Sequence, residues 1–216
     1  MSQSWLSRIF GGTKPAPSIP APVTFSADAT ADIQDYVERL VAAGFMPRDE
    51  IIDTALAYVE ADGDAQRAEA ERATDAALKA HASAQAQWPE TTDCDRLDAA
   101  FAALDADGII SRQDFTCCGS CGAAEIWDHV QAAEGAGLSA RGYAFFHQQD
   151  TESAVEGDGL YLNYGSIEEG APAAVAIGHE IVAKLNAHGL QTDWSGSISE
   201  RIGVSLDWKK RRTAAG

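Results

Sequence analysis

Long apolar runs are missing from this chain, although 45% of its 216 residues are hydrophobic. No stretch approaches the roughly 18 apolar residues that a membrane-spanning helix needs. The apolar residues near the N-terminus, within positions 5–10, are too few for the hydrophobic part of a secretory signal. We therefore expect a protein that folds in water and resides in the cytoplasm.

Cysteine is also scarce, with four residues in the chain. Without a secretory signal, four cysteines indicate reduced thiols or metal ligands rather than a disulfide framework. The thiols are therefore candidates for a functional site, and three of them lie within five consecutive positions.

Basic residues are few and unevenly placed: 16 Lys and Arg stand against 33 Asp and Glu, for a net charge of −17. All of the acids fall within residues 23–208, whereas four bases form the stretch 209–212. A strongly acidic body repels nucleic acid and anionic membranes and attracts cationic partners. The charge therefore predicts either a basic protein partner, such as a nuclease or toxin that this protein covers, or simply high solubility.

The N-terminal part of the chain divides into a tail and a helical segment. Residues 1–28 are expected to be a disordered tail with a Pro-rich linker, whose short apolar peptide could dock on a partner. In residues 29–90, apolar side chains recur at helical spacing, with breaks at Gly44 and at residues 62–64. Three helices that pack on the main domain are predicted there.

Residues 91–212 alternate between helical and strand-like patterns, and residues 213–216 are expected to be a tail. After a short helix, we expect strands at 109–116, 142–148, 159–165, 190–195 and 201–208, with helices at 121–134 and 171–188. This order predicts an α+β domain with a ferredoxin-like βαββαβ sheet and one added strand. In that layout the strand 142–148 is expected to run antiparallel to the first strand.

The main candidate site is the thiol cluster Cys117, Cys118 and Cys121, between a predicted strand and a predicted helix. The positive end of a helix dipole favours thiolate over thiol. Cys118 and Cys121 have the spacing both of a dithiol redox motif and of half a zinc site. A third interpretation is that the thiols are small buried core residues. Apart from zinc, no cofactor is expected.

Two other groups of residues are candidates for a polar or recognition site. His147, Asp150 and Glu152 include an imidazole that a carboxylate could orient for acid–base chemistry. At the end of strand 142–148, however, His147 is expected at the opposite edge of the sheet from the cysteines. Asp193 and Trp194 are a candidate recognition pair near the expected thiol edge.

Several phrases of the sequence are distinctive: residues 45–51, Trp88-Pro89, residues 92–97, Phe115 to Gly122, Gly142 to Glu152, residues 160–162 with 164–165, and Arg201 to Arg212. Together they resemble an uncharacterised bacterial family known as a domain of unknown function. The resemblance covers roughly residues 30–212 and implies that the helical and α+β segments belong together, but it implies no reaction or cofactor. A similarity of layout and acidity to small acidic regulators of ribonucleases is an analogy.

Together these observations favour a non-enzymatic binding or regulatory module for a basic protein partner. The alternative is a protein that uses Cys118 and Cys121 to bind zinc or to exchange thiols and disulfides.

Overall fold

The computed structural model of the protein describes residues 27–60 and 63–212. These residues form an α+β fold with a five-stranded mixed sheet. The predicted N-terminal tail and linker, apart from the start of the first helix, and the predicted tail 213–216 lie outside the described residues. In chain order the elements are α1 (Ala27–Ala43), α2 (Arg48–Tyr58), α3 (Asp64–Gln85), α4 (Asp93–Ala106), β1 (Ile109–Arg112), α5 (Gly119–Gly135), β2 (Gly142–Phe145), α6 (Gln148–Glu156), β3 (Leu160–Ser166), α7 (Ala171–Ala187), β4 (Gln191–Asp193) and β5 (Ile202–Ser205).

Helices α1 to α3 enclose a hydrophobic core of their own. Ile33 and Val37 of α1 are fully buried against Ile51 and Ile52 of α2 and Ala70 of α3. Their helical spacing places these side chains on the inward faces, because residues three or four apart share one side of a helix. The helical segment therefore has a hydrophobic core that is separate from the core of the sheet.

The sheet has the strand order β1-β2-β3-β5-β4. Strands β1 and β2 are parallel neighbours, with Ile110 paired to Tyr143, and all other neighbouring pairs are antiparallel. Helices α4 and α7 supply Leu97, Leu104 and Ile181 to the core on one face. On the other face, α5 places Val130 against Ile110 of β1.

This arrangement differs from the ferredoxin-like one that the sequence predicts. Helix α6 separates β2 from β3, whereas the sequence pattern predicts two consecutive strands. His147 begins this helix: its ring accepts the backbone N–H of Asp150 while the Asp150 carboxylate accepts that of His147. This reciprocal cap satisfies N–H groups at the helix start and ends β2 at Phe145. The α5 crossover then places β2 parallel to β1, so the expected antiparallel direction is wrong.

Two predicted strands are shortened by features at their ends. Strand β1 ends at Arg112, because Asp114 (φ 49°) and Thr116 (φ 63°) adopt left-handed backbone conformations that a strand does not accommodate. Strand β5 ends at Ser205, after which the chain crosses to the helical segment. The alternation that extends to Trp208 therefore predicts a longer strand than the sheet contains.

The last described residues, 208–212, form what we call the C-terminal strap. Trp208 Nε1 donates to the carbonyl of Ala42, 3.0 Å away, and the Arg212 guanidinium donates to the carbonyls of Val41 and Met46. Lys210 Nζ lies 2.5 Å from Asp98 Oδ1 in α4. The basic stretch at the end of the chain therefore connects the helical segment to the sheet domain.

Candidate metal and thiol site

The thiol cluster lies where the chain passes from β1 into α5. Phe115 N–H donates to the carbonyl of Phe146 (2.8 Å), and Gln148 N–H donates to that of Thr116 (3.1 Å). Cys118 precedes the first residue of α5 and has an extended backbone, with φ −157° and ψ 169°. The loop is thus held against the β2–α6 connection, at the carboxyl ends of two parallel strands, where α/β sheets commonly bind ligands.

Three sulfur atoms converge in this turn. The thiols of Cys117, Cys118 and Cys121 all lie within 4.8 Å of one another, and the Sγ atoms of Cys117 and Cys121 are 3.6 Å apart. A tetrahedral zinc ion with Zn–S bonds of about 2.3 Å separates its sulfur ligands by about 3.8 Å. The spacing therefore fits three ligands of one thiophilic metal ion. No fourth His, Cys, Asp or Glu joins this group within residues 27–60 and 63–212.

The pKa values of two of these thiols shift in opposite directions. The backbone N–H of Cys121 lowers the pKa of Cys118, with further contributions from the neighbouring thiols and from Ser120 N–H. Hydrogen bonding by the Cys117 and Cys118 sulfurs raises the pKa of Cys121 to about 11. The start of the helix therefore favours negative charge on Cys118, whereas Cys121 keeps its proton.

His147 lies beside the thiol turn rather than at the opposite edge of the sheet. A Cβ built on Gly119 would lie 3.5 Å from His147 Nε2, so the imidazole contacts the first residue of α5. The expected position of His147 is wrong because β2, the strand that precedes it, runs parallel to β1. His147 is nevertheless outside the group of converging thiols.

A buried polar cluster surrounds this histidine. His147 Nε2 lies 3.1 Å from Asp150 Oδ2, and Asp150 Oδ1 accepts a 2.7 Å hydrogen bond from Arg201 Nη1. Burial lowers the pKa of His147, against the opposing effect of Asp150. Nearby on β3, the Nδ2 atom of Asn163 is buried and has no hydrogen-bond partner among the described residues. Burial therefore favours the neutral imidazole, whose Nδ1 accepts the Asp150 N–H and whose Nε2 faces the Asp150 carboxylate.

The other candidate residues are placed elsewhere. Glu152 lines a small cavity with Tyr36 and Asp114 and is not part of the His147 cluster. Trp194 is half-buried: its ring packs edge-on against Tyr164 and its Nε1 donates to the carbonyl of Ser197. Asp193 is exposed on β4.

Cys94 is separate from the other thiols. It is buried in α4, where its Sγ accepts the N–H of Lys209 at 3.3 Å, and burial raises its pKa to about 12. Sequence reasoning missed Arg201, which directly precedes β5, and Asn163 of β3, both of which lie far from His147 in the sequence. The signal for α6 was local, because a polar residue followed three positions later by Asp is a helix-start pattern.

The fold and the site define an α+β protein with three thiols at the start of a helix, beside a buried histidine. By sequence, residues 26–212 match the family model of a domain of unknown function, DUF6891, and the chain belongs to this family. No curated protein and no solved structure matches the chain. None of the described helices has both the length and the apolarity needed to cross a membrane.

Proposed function

We propose that this protein binds a thiophilic divalent metal ion, zinc in the first instance, through Cys117, Cys118 and Cys121. The convergence of the three sulfur atoms within 4.8 Å carries the proposal. Three protein ligands leave the fourth position of a tetrahedral ion open to water or to another molecule. The thiols are ligands in their deprotonated form, so metal binding displaces the proton of Cys121 and weakens as the pH falls.

Cobalt(II), whose thiolate complexes absorb in the near ultraviolet, is a suitable probe for this proposal. We expect the reduced protein to bind one cobalt per chain and zinc to displace it. Changing Cys117, Cys118 or Cys121 to Ser removes a ligand directly. Each change should weaken binding by more than the roughly 10- to 100-fold caused by losing a hydrogen-bond partner of a ligand.

Cys94→Ser is the matched control, since Cys94 is buried in α4 and lies apart from the thiol cluster. It should leave cobalt binding unchanged. A wild-type spectrum without thiolate absorption, or equal binding by Cys118→Ser and Cys94→Ser, would contradict the proposal.

Thiol–disulfide exchange is a second candidate, favoured by the opposite pKa shifts of Cys118 and Cys121. In this reaction the Cys118 thiolate attacks one sulfur of a disulfide substrate and releases the other sulfur as a thiolate. The Cys121 thiol, losing its proton, then attacks Cys118. This step forms the Cys118–Cys121 disulfide and releases the second substrate thiol. Reversible oxidation of the metal-free protein to the Cys118–Cys121 disulfide would favour thiol–disulfide exchange over metal binding. If this disulfide does not form, thiol–disulfide exchange is excluded.

The basic protein partner remains a prediction from net charge. The structure pairs part of the basic stretch with acids of its own chain, as in the contacts of Lys210 with Asp98 and Arg211 with Asp95. Capture of a basic protein from lysate at low salt, with release at high salt, would support this partner. If no such protein is captured, the hypothesis fails.

A further inference from the structure

A groove rich in arginine lies between the α1–α2 connection, helix α3 and the C-terminal strap. Its volume is about 840 Å³, within the range of about 300–1,000 Å³ that is usual for small-molecule sites. Arg48, Arg211, Arg212 and His81 line it, whereas none of the Asp and Glu residues that the structure describes does. In a chain with twice as many acids as bases, a groove without carboxylates is set apart from the rest of the surface.

Arg212 has no carboxylate partner among the described residues. Arg48 pairs with Asp75 at 2.7 Å and Arg211 with Asp95 at 3.0 Å. The Arg212 guanidinium instead donates to two carbonyl groups, and burial lowers its pKa. A partly buried cation without a counter-ion is unfavourable, and an anion beside it would relieve that cost.

Arg212 is also held in place before any ligand binds. Its backbone N–H donates to Gln85 Oε1 (2.9 Å), and its carbonyl accepts from Gln85 Nε2 (3.2 Å). A guanidinium has five N–H donors, of which the two carbonyl contacts account for two. The remaining donors form a preorganised anchor for an oxyanion.

The other walls of the groove are largely apolar. Phe45, Met46 and Leu78 line it together with Ala82 of α3. His81 adds a buried Nε2 atom that has no hydrogen-bond partner among the described residues. The combination suits a ligand with an apolar body and one negatively charged end.

We propose that this groove binds a small organic anion, with its carboxylate or phosphate on Arg212 and its apolar part along Phe45, Met46 and Leu78. The site shares no residue with the thiol cluster, so it is independent of the proposed metal function. The positive charge of Arg212 favours anionic ligands, and the apolar walls favour ligands whose remaining part is apolar.

Two probes with the same apolar body and opposite charge test the proposal: 4-phenylbutyrate and 4-phenylbutylamine. Each is titrated into the full chain and followed by amide ¹⁵N–¹H NMR. We expect only the butyrate to shift resonances, mainly those of residues 44–48, 78–86 and 211–212. Equal binding of the amine, or shifts confined to another surface, would overturn the proposal.

Ala82 offers a matched pair of variants, because it is exposed in α3 and lines the groove. Ala82→Glu places a carboxylate in the groove, whereas Ala82→Gln adds a neutral side chain of almost the same size, and both suit a helix. Phenylbutyrate binding should be at least about tenfold weaker in Ala82→Glu than in Ala82→Gln, the effect of about 1.4 kcal/mol. Equal affinity in the two variants would refute the role of charge.

Ala82→Glu also has a readout without ligand. Its carboxylate supplies a counter-charge that no described residue gives Arg212, so its Tm should exceed that of Ala82→Gln at low salt. Arg212→Gln should abolish butyrate binding, and the same spectra show whether that variant is folded. If the full chain binds no butyrate but does so after deletion of residues 1–26, the N-terminal segment is the occupant and the proposal is wrong.

Discussion

At the scale of single residues, Cys118 and Cys121 show how position within one turn separates two chemically identical groups. Cys118 immediately precedes the helix, where backbone N–H groups favour its thiolate. Cys121 lies within the first turn, and the neighbouring sulfurs disfavour its ionisation. A three-residue difference in position therefore favours the thiolate at Cys118 and the protonated thiol at Cys121.

We predict a matching difference in alkylation. In metal-free protein, iodoacetamide should modify Cys118 with a rate midpoint below the pH of an ordinary thiol, and Cys121 with a midpoint near its pKa of about 11. Peptide mapping by mass spectrometry at a series of pH values measures both. Cys94 is the internal control and should react only after unfolding. Alkylation of Cys121 before Cys118 at pH 7 would contradict the assignment.

The sequence located these thiols because they are adjacent in the chain. It also grouped His147 with Asp150, but it could not locate the partner of the Asp150 carboxylate in the same way. Arg201 reaches Asp150 across 51 positions, and no local spacing indicates a contact of that kind. The thiol turn and the His147–Asp150 pair were therefore predictable, whereas the contact of Arg201 with Asp150 was not.

At the scale of elements, helix α5 packs very closely on β2, and this contact positions the thiol turn. A Cβ built on Gly122 would lie 2.4 Å from a ring carbon of Phe145, which is itself buried. At Gly135, at the other end of the same helix, no atom of the described residues comes within 4 Å of such a Cβ. An alanine side chain at position 122 would therefore collide with Phe145, whereas one at position 135 would collide with no described residue.

We predict opposite effects of the same substitution at these two sites. Gly122→Ala should lower the free energy of unfolding by about 1–3 kcal/mol, because the helix or Phe145 must move. Gly135→Ala should raise the free energy of unfolding by up to about 1 kcal/mol, because alanine reduces the conformational entropy of the unfolded chain. Urea unfolding of both variants measures the difference. If Gly122→Ala is as stable as Gly135→Ala, the close packing of α5 on β2 is wrong.

For the whole molecule, the C-terminal strap connects the core of the sheet domain to the carbonyl groups of the helical segment. Trp208 packs near Phe45, with ring centroids 6.3 Å apart, and near Phe146 at 6.2 Å. Its indole N–H donates to Ala42 at the end of α1. The strap is therefore expected to make the helical segment and the sheet unfold together.

Deletion of residues 208–216 tests this coupling. We expect the truncated protein to unfold in two steps, with the helical segment first, and to lose at least about 3 kcal/mol, which is typical of losing a packed tryptophan. Denaturant curves followed by circular dichroism and tryptophan fluorescence report the two steps. Deletion of residues 213–216 alone is the control. It should leave the denaturant midpoint unchanged whether unfolding is followed by circular dichroism or by tryptophan fluorescence. A single transition at the wild-type midpoint after the longer deletion would disprove the coupling.

The three N-terminal helices, the thiol turn at a helix start and the α+β class could all be predicted from the amino-acid sequence. These features depend on spacing along a few helical or strand repeats, which local physics decides. The folded structure was needed to show that β2 runs parallel to β1, that His147 adjoins the thiols, that three sulfurs converge and that the basic stretch forms the C-terminal strap. Strand order and direction depend on which distant surfaces pack together, and short-range patterns do not encode that choice.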